Sequence, residues 1–470
     1  MSSLRERPIF RAQARGAAPG DLAAAGFLVT AIALGGGGSP APLPELILEL
    51  LAAGFALVWL LAPPAGLDWQ RIPKSAWLIA GLVAVVPLLQ LVPLPPLLWH
   101  TFSSRELEVQ ALGLIGAESS WRPWSLAPSR TLASLLSLAP PLLMLLITSA
   151  LARSGRLWLV RAIALMAVAT LVLGALQLSA GDASPVHLYD VTVPMLTGFQ
   201  ANHNSTADVL LIALVTVPVL LRDLVERRVI DNRAGAVLGI AGAAIAVMTL
   251  GVVLTASRMG IFLLPIPLLA SIWILRPWIA ISPRSFGYGL GGIFAVGLLG
   301  LVFARDNPVL ATIMARFDFS EELRPQLWRD GLYVAQKYLP FGVGMGDFVP
   351  ALVADERLEV IWPSLPNRAH NDYLELACEA GIAGLLALSA ISFTLGRALL
   401  SKLRSGSGSS ITLVIFAGSG LAILSLHSLV DYPFRSMALA CLGAVCAGFL
   451  LSPRLDSGLA SDAPDPGKTR

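Results

Sequence analysis

The stretch with the densest chemistry is Arg368-Ala369-His370-Asn371-Asp372-Tyr373-Leu374-Glu375. Asp372 and Glu375 have the spacing of a capping box and predict a helix opening there. His370 then falls just ahead of a helix N-terminus. The positive end of such a helix favours an anion and holds an imidazole in its neutral form, which can act as a base. A well-capped helix start with a bystander histidine fits the same spacing, and the residues alone leave both readings open.

Arginines supply a second kind of chemistry, because guanidinium grips phosphate oxygens in a planar, two-pronged way that lysine cannot. Arg258, after Ser257 at the end of an apolar run, is costly beside hydrocarbon unless it pairs, snorkels or binds a ligand. Arg324 opens a second candidate region. Between 305 and 376 the basic residues are Arg305, Arg316, Arg324, Arg329, Lys337, Arg357 and Arg368, interspersed with enough Asp and Glu for many surface ion pairs. Two further sites combine polar residues. Asn202-His203-Asn204-Ser205 is expected to cap a helix through Asn204 or Ser205. His427 and Asp431-Tyr432-Pro433-Phe434-Arg435 form a turn, where an Asp431–Arg435 pair and a substrate contact explain the residues equally well.

Other classes are excluded by what is missing. There is no HExxH, CxxC, GxSxG or Walker-type pattern, which argues against metalloprotease, serine hydrolase and ATPase chemistry. Phe341-Gly342-Val343-Gly344-Met345-Gly346 contains G-x-G, but no strand is predicted before it and no βαβ unit around it, so it is not read as a nucleotide loop. Cys378, Cys441 and Cys446 lie in or beside apolar runs and read as small core residues.

The elements that position these groups must cross a membrane. The chain has 470 residues, 56% hydrophobic and 13% charged, with a mean hydropathy of +0.74, far beyond the apolarity of a soluble domain. A net charge of +3, spread along the chain, does not suggest nucleic-acid binding. Spans are predicted near 21–37, 44–62, 76–93, 131–150, 157–178, 205–221, 235–254, 260–275, 287–304, 377–396, 411–427 and 437–451. The fold class is therefore all-α, a polytopic membrane protein of about twelve helices. Arg5, Arg7, Arg11 and Arg15 precede the first span, which lacks a clear cleavage site and is read as retained. Basic residues in the short loops put both termini in the cytoplasm. The expected organisation is 1–304 as helices one to nine, 305–376 as a large, partly helical periplasmic loop, 377–451 as the last three helices and 452–470 as a disordered cytoplasmic tail.

Outer segments near 94–130, 179–204 and 305–376 are long enough to carry function. His100, His187, His203, His370 and His427, all the histidines of the chain, fall on or beside that side. In the last segment, Leu327, Trp328, Gly331, Leu332, Ala335, Tyr338 and Leu339 fall at helical spacing, with Pro325 in the first turn and Pro340 as a stop. This predicts an amphipathic helix lying on the membrane surface.

These residues resemble the O-antigen ligase and O-antigen polymerase family of bacterial membrane glycosyltransferases. The likeness rests on Ser257-Arg258, on Arg324-x-x-x-Trp328 followed by Pro340-Phe341-Gly342-Val343-Gly344, and above all on His370-Asn371-Asp372-Tyr373-Leu374-Glu375 with Glu379-Ala380-Gly381. Phe199 to Asn204 and Asp431-Tyr432-Pro433 are similar to family features, whereas Met259 stands where the family commonly has a small residue. The resemblance covers most of the chain. It implies a GT-C-like, metal-independent transferase without cofactor in the bacterial inner membrane. The donor would be a glycan on an undecaprenyl (polyprenyl) diphosphate, and the acceptor a hydroxyl of lipid A-core or a similar glycan or lipid. Arg258 and Arg324 would bind the diphosphate, His370 would activate the acceptor, and Asn371, Glu375 and Asp431 would support it. A polymerase of the same family is the alternative within the class. A lipid-linked glycan transporter is the alternative outside it, disfavoured because ionisable residues such as Glu45, Glu49 and Arg161 lie near span ends.

Overall fold

The computed structural model describes residues 17–37, 42–180, 188–189, 195–279, 323–355, 366–406 and 410–453. Its helices are α1 (Pro19–Leu34), α2 (Pro42–Leu61), α3 (Lys74–Gln90), α4 (Pro96–Trp99), α5 (Glu106–Gly113), α6 (Pro128–Leu136), α7 (Ala139–Ala150), α8 (Arg153–Ala180) and α9 (His203–Leu214), continuing with α10 (Thr216–Glu226), α11 (Ala234–Leu254), α12 (Arg258–Leu263) and α13 (Pro265–Leu275). After the next described break come α14 (Arg324–Tyr338), α15 (Phe348–Asp355), α16 (Asp372–Ser405), α17 (Ser410–His427) and α18 (Met437–Leu451). The described strands are β1 (Pro93–Leu94) and β2 (Arg122–Pro123), an antiparallel pair.

Among the described residues, seven helical stretches are long and apolar enough to cross a membrane: α2, α6 with α7, α8, α11, α12 with α13, α16 and α17. α1, α3 and α18 are apolar but shorter. The chain is an all-α polytopic membrane protein, as backbone satisfaction in hydrocarbon requires. The span predicted at 205–221 is two helices, α9 and α10, with Val215 between them. The span predicted at 287–304 lies outside the described residues, as do His187, Arg305, Arg316 and Arg357.

Helices that are apolar on every side belong in the middle of a bundle, and those with an exposed apolar face belong at its edge. α9 is buried from Asn204 to Leu214, and α18 is buried along most of its length, packed on α7 and α17. α2, by contrast, exposes Leu43, Leu50, Leu60 and Leu61.

One end of the bundle gathers the N-termini of α9, α12, α16 and α18 with the C-termini of α1, α11 and α17. Backbone bonds lace it together: Ala438 N–H to Gly35 O at 2.9 Å, Ala201 N–H to Gly36 O at 3.0 Å, Leu196 N–H to Leu254 O at 3.1 Å and Asp372 N–H to Ser428 O at 3.0 Å. The opposite end is basic. There Arg153 and Arg227 share Asp223 at 2.8 and 2.9 Å, and Lys402 Nζ donates to Ser452 O at 2.9 Å.

α14 starts with Pro325 in its first turn and ends before Pro340, as its sequence predicts. Its buried face is Leu327, Gly331, Val334, Ala335 and Tyr338, packed with Phe348, Ala351, Leu352, Ala369 and Cys378. Leu332 and Leu339, assigned to that face from spacing, are exposed, and Val334 is buried in their place. The helix thus turns its buried apolar face onto protein.

Candidate functional site

The site end is organised around a break in α16. Gly381 has φ +56° inside an otherwise continuous 34-residue helix. A side chain there would strike the carbonyl of Pro340, 2.2 Å from the position of an added Cβ. The Phe341-to-Gly346 stretch fills the break. Val343 N–H and Gly344 N–H each donate, at 3.0 Å, to Cys378 O and Glu379 O, and Ile382 N–H donates to Pro340 O at 2.9 Å. Carbonyls and amides that a helix break would orphan are satisfied by this loop. The G-x-G pattern therefore docks on a helix and follows one, in agreement with its rejection as a nucleotide loop. Gln90, from the end of α3, joins the same junction by donating to Glu379 O at 2.8 Å and accepting from Met345 N at 2.9 Å.

The first turns of α16 carry three acids that face one cation. Arg435 reaches Glu379 at 2.7 Å, Glu375 at 3.4 Å and Asp372 at 3.7 Å. Glu375, fully buried, also binds Arg368 at 3.0 Å and accepts Ala369 N–H at 3.0 Å. The capping box predicted from Asp372 and Glu375 does not form. Asn371 is the cap, its Oδ1 accepting from Leu374 N at 3.0 Å, because Glu375 is held by the two arginines and Asp372 accepts from Ser428 Oγ and Phe434 N. Nor does Asp431 pair with Arg435, since that guanidinium is committed to α16.

Asp431 turns instead toward His370. His370 Nδ1 lies 3.0 Å from Asp431 Oδ1. The other carboxylate oxygen accepts from Asn204 Nδ2 at 2.5 Å and Asn202 Nδ2 at 3.4 Å. The cap of α9 is Asn202, whose Oδ1 accepts Asn204 N–H at 2.9 Å, so Asn204, expected as a capping residue, is free to reach across to Asp431. Burial alone would raise the Asp431 carboxyl, but the hydrogen bond to His370 and the positive field of His370, His427 and Arg324 take it down to about 2. An anion has no proton to give, so the shared hydrogen belongs to His370 Nδ1, and a neutral imidazole then carries its lone pair on Nε2. His370 has φ +48°, a conformation a bulky residue holds only when its surroundings impose it.

Sequence reasoning missed Asp208 altogether. It follows Asn204 by one helical turn on α9, and its carboxylate meets His427 Nδ1 at 2.7 Å with both side chains 1% exposed. The signal was available: Asn204 and Asp208 are four apart and share a helix face. α9 thus makes two polar contacts, one turn apart, with the turn that carries Asp431.

The two arginines expected to bind phosphate each open a helix. Arg324 is the first residue of α14, and its charge is felt by Asp431 and His427. Arg258 is the first residue of α12, after Ser257, whose Oγ accepts Gly260 N–H at 3.0 Å. Before it, Ala256 has φ +53° and packs with Met195, in the segment that leads to Asn202. α12 rests on α9 and α17, which brings Arg258 to the same end of the bundle. Arg368, by contrast, is tied to Glu375, and Lys337 pairs with Asp355. His100 lies apart, against Glu118 O at 2.9 Å.

The arrangement offers a carboxylate-oriented imidazole and guanidinium groups at two helix starts. It can take a proton from a hydroxyl and stabilise a departing anion. Compared with known proteins, residues 243–389 match the family model described as O-antigen ligase. That window takes in Arg258, Arg324, Trp328, His370, Glu375 and Gly381. Asn202, Asn204, Asp208, His427, Asp431 and Arg435 lie outside it. No curated protein matches the chain.

Proposed function

We propose that this chain, a member of the O-antigen ligase and polymerase family, is a ligase-type glycosyltransferase. It moves a glycan from an undecaprenyl diphosphate carrier to an acceptor hydroxyl, of lipid A-core or a similar acceptor. The observation that carries the reading is the His370–Asp431 pair at 3.0 Å within the field of Arg324.

In this mechanism His370 Nε2 takes the proton of the acceptor hydroxyl, whose oxygen attacks the anomeric carbon. The bond from that carbon to the diphosphate oxygen breaks, and the electron pair leaves with the diphosphate. Arg258 and Arg324 stabilise the charge that collects there. Asp431 orients the imidazole and balances the imidazolium that forms, as a carboxylate does in other hydroxyl-activating dyads. Attack opposite the leaving group inverts the anomeric centre. Retention of configuration, seen by NMR of the product, would refute that step.

The orientation that goes with this reading puts the site end in the periplasm and the basic end, with Arg153, Arg227 and Lys402, in the cytoplasm together with both termini. The segment 305–376 then lies outside, between the helices of 1–304 and those of 377–451. Labelling of single introduced cysteines in intact cells tests the placement. A cytoplasmic His370 would end the proposal.

The activity is tested by expressing the chain in cells that lack either the ligase or the polymerase. Attachment of long glycan to lipid A-core in the first host supports the ligase reading. Restored chain elongation in the second would make the chain a polymerase using the same chemistry. Loss of either activity in His370→Ala, with protein level preserved, ties it to this site.

A further inference from the structure

The residue that precedes His370 is gripped from both sides. Its amide end is held by Glu375, which accepts Ala369 N–H at 3.0 Å. Its carbonyl is held by Trp328, whose indole Nε1–H donates to Ala369 O at 3.1 Å. Ala369 itself is fully buried, so neither backbone group has water as an alternative. The residue that follows is His370, in the left-handed region at φ +48°.

Left-handed backbone costs a residue with a side chain on the order of 1–3 kcal/mol unless neighbours over-determine it. The two bonds on residue 369 are such determinants, and they fix where the imidazole starts from. Trp328 also lies one helical turn after Arg324 on α14, so the two share a face. One rigid turn therefore carries both the cation near Asp431 and the donor that locks the peptide before His370.

From this we propose that Trp328 is a positioning residue. Through Ala369 it sets the His370 imidazole at its distance from Asp431 and in register with Arg324. The inference rests on the transferase reading above. A displaced imidazole binds no substrate less well but removes the acceptor proton less often, so the effect belongs in kcat and not in KM.

The test uses the full-length protein in proteoliposomes, with the diphosphate-linked glycolipid and the acceptor lipid extracted from the source cells as substrates. Trp328 is replaced by 3-benzothienylalanine, which keeps the ring shape and exchanges only the N–H for sulfur, and separately by Phe. Both are expected to lower kcat about tenfold while the apparent KM for either substrate stays within about twofold and the melting temperature is unchanged. A wild-type kcat in the benzothienylalanine protein overturns the proposal, and so does a loss that appears in KM. His370→Ala in the same assay separates the two levels of inference. Full activity there removes the transfer mechanism itself, whereas an inactive His370→Ala beside a fully active benzothienylalanine protein removes only the role given to Trp328.

Discussion

His370 and Asp431 are 61 residues apart in sequence and meet at 3.0 Å, imidazole Nδ1 to carboxylate Oδ1. One precedes α16 and the other follows α17, so the pair forms only when those helices stand side by side. Asp431→Asn keeps the shape of the turn, but its amide can present an N–H to Nδ1 and so select the wrong tautomer. A loss of roughly a hundredfold or more in kcat is expected with little change in donor KM, measured by glycan transfer in proteoliposomes. An Asp431→Asn enzyme within about threefold of wild type would show that the carboxylate does not orient the base.

Arg324→Ala should raise the donor KM by tenfold or more, because a fixed guanidinium beside a diphosphate contributes charge-assisted hydrogen bonds. Arg324→Lys should recover only part of the loss, since an ammonium cannot make the paired contact. Direct binding of the lipid diphosphate, followed by fluorescence in nanodiscs, would separate this from an effect on chemistry.

Asp347 should make stability depend on pH. Burial lifts its carboxyl to about 7, despite hydrogen bonds from Ala127 N and the Ser125 hydroxyl. In the unfolded chain it ionises from its ordinary value of 3.8. Over that interval the folded state holds the extra proton, so stability falls as pH rises and levels off once the folded group has ionised. Asp347→Asn retains an oxygen for Ser125 and Ala127 without titrating. Its melting temperature should decline less than that of wild type between about pH 4 and about pH 7, by intrinsic fluorescence. Equal slopes would show that Asp347 does not govern this window.

Gly381→Ala should be among the most damaging small substitutions, at a cost on the order of 3 kcal/mol or more. The added methyl would meet the Pro340 carbonyl at 2.2 Å in a backbone region closed to L side chains. Low membrane yield and a melting temperature reduced by several degrees are expected, measured by size-exclusion fluorescence of a fusion protein. Alanine at Gly239, which has open space around it, provides the control and should behave as wild type.

The architecture was legible because hydrocarbon admits so few backbone solutions. Long apolar runs had to be helices, and the described ones are. The candidate residues were legible for a local reason: His370, Asn371 and Glu375 sit at a helix start, and Arg324 and Arg258 open helices of their own. The partnerships were not. Asp431 was weighed against Arg435 because the two are close in sequence, whereas Arg435 binds acids of α16 and Asp431 binds His370, Asn202 and Asn204. Asn204 looked like a cap until Asn202 took that role. Asp208 drew no attention as a single acid in an apolar run, and only the packing of α9 against the end of α17 supplies its histidine.

Arg435 follows Glu379 by 56 residues, so at roughly 5–20 residues per second a ribosome adds it about three to eleven seconds later. Until then Asp372, Glu375 and Glu379 enter the membrane boundary with one fewer counter-charge. A nascent chain halted inside α17 would lack more than a last helix, since it would present a partly compensated acidic face that the finished protein conceals. Premature termination there should leave that acidic face uncovered and mark the product for degradation.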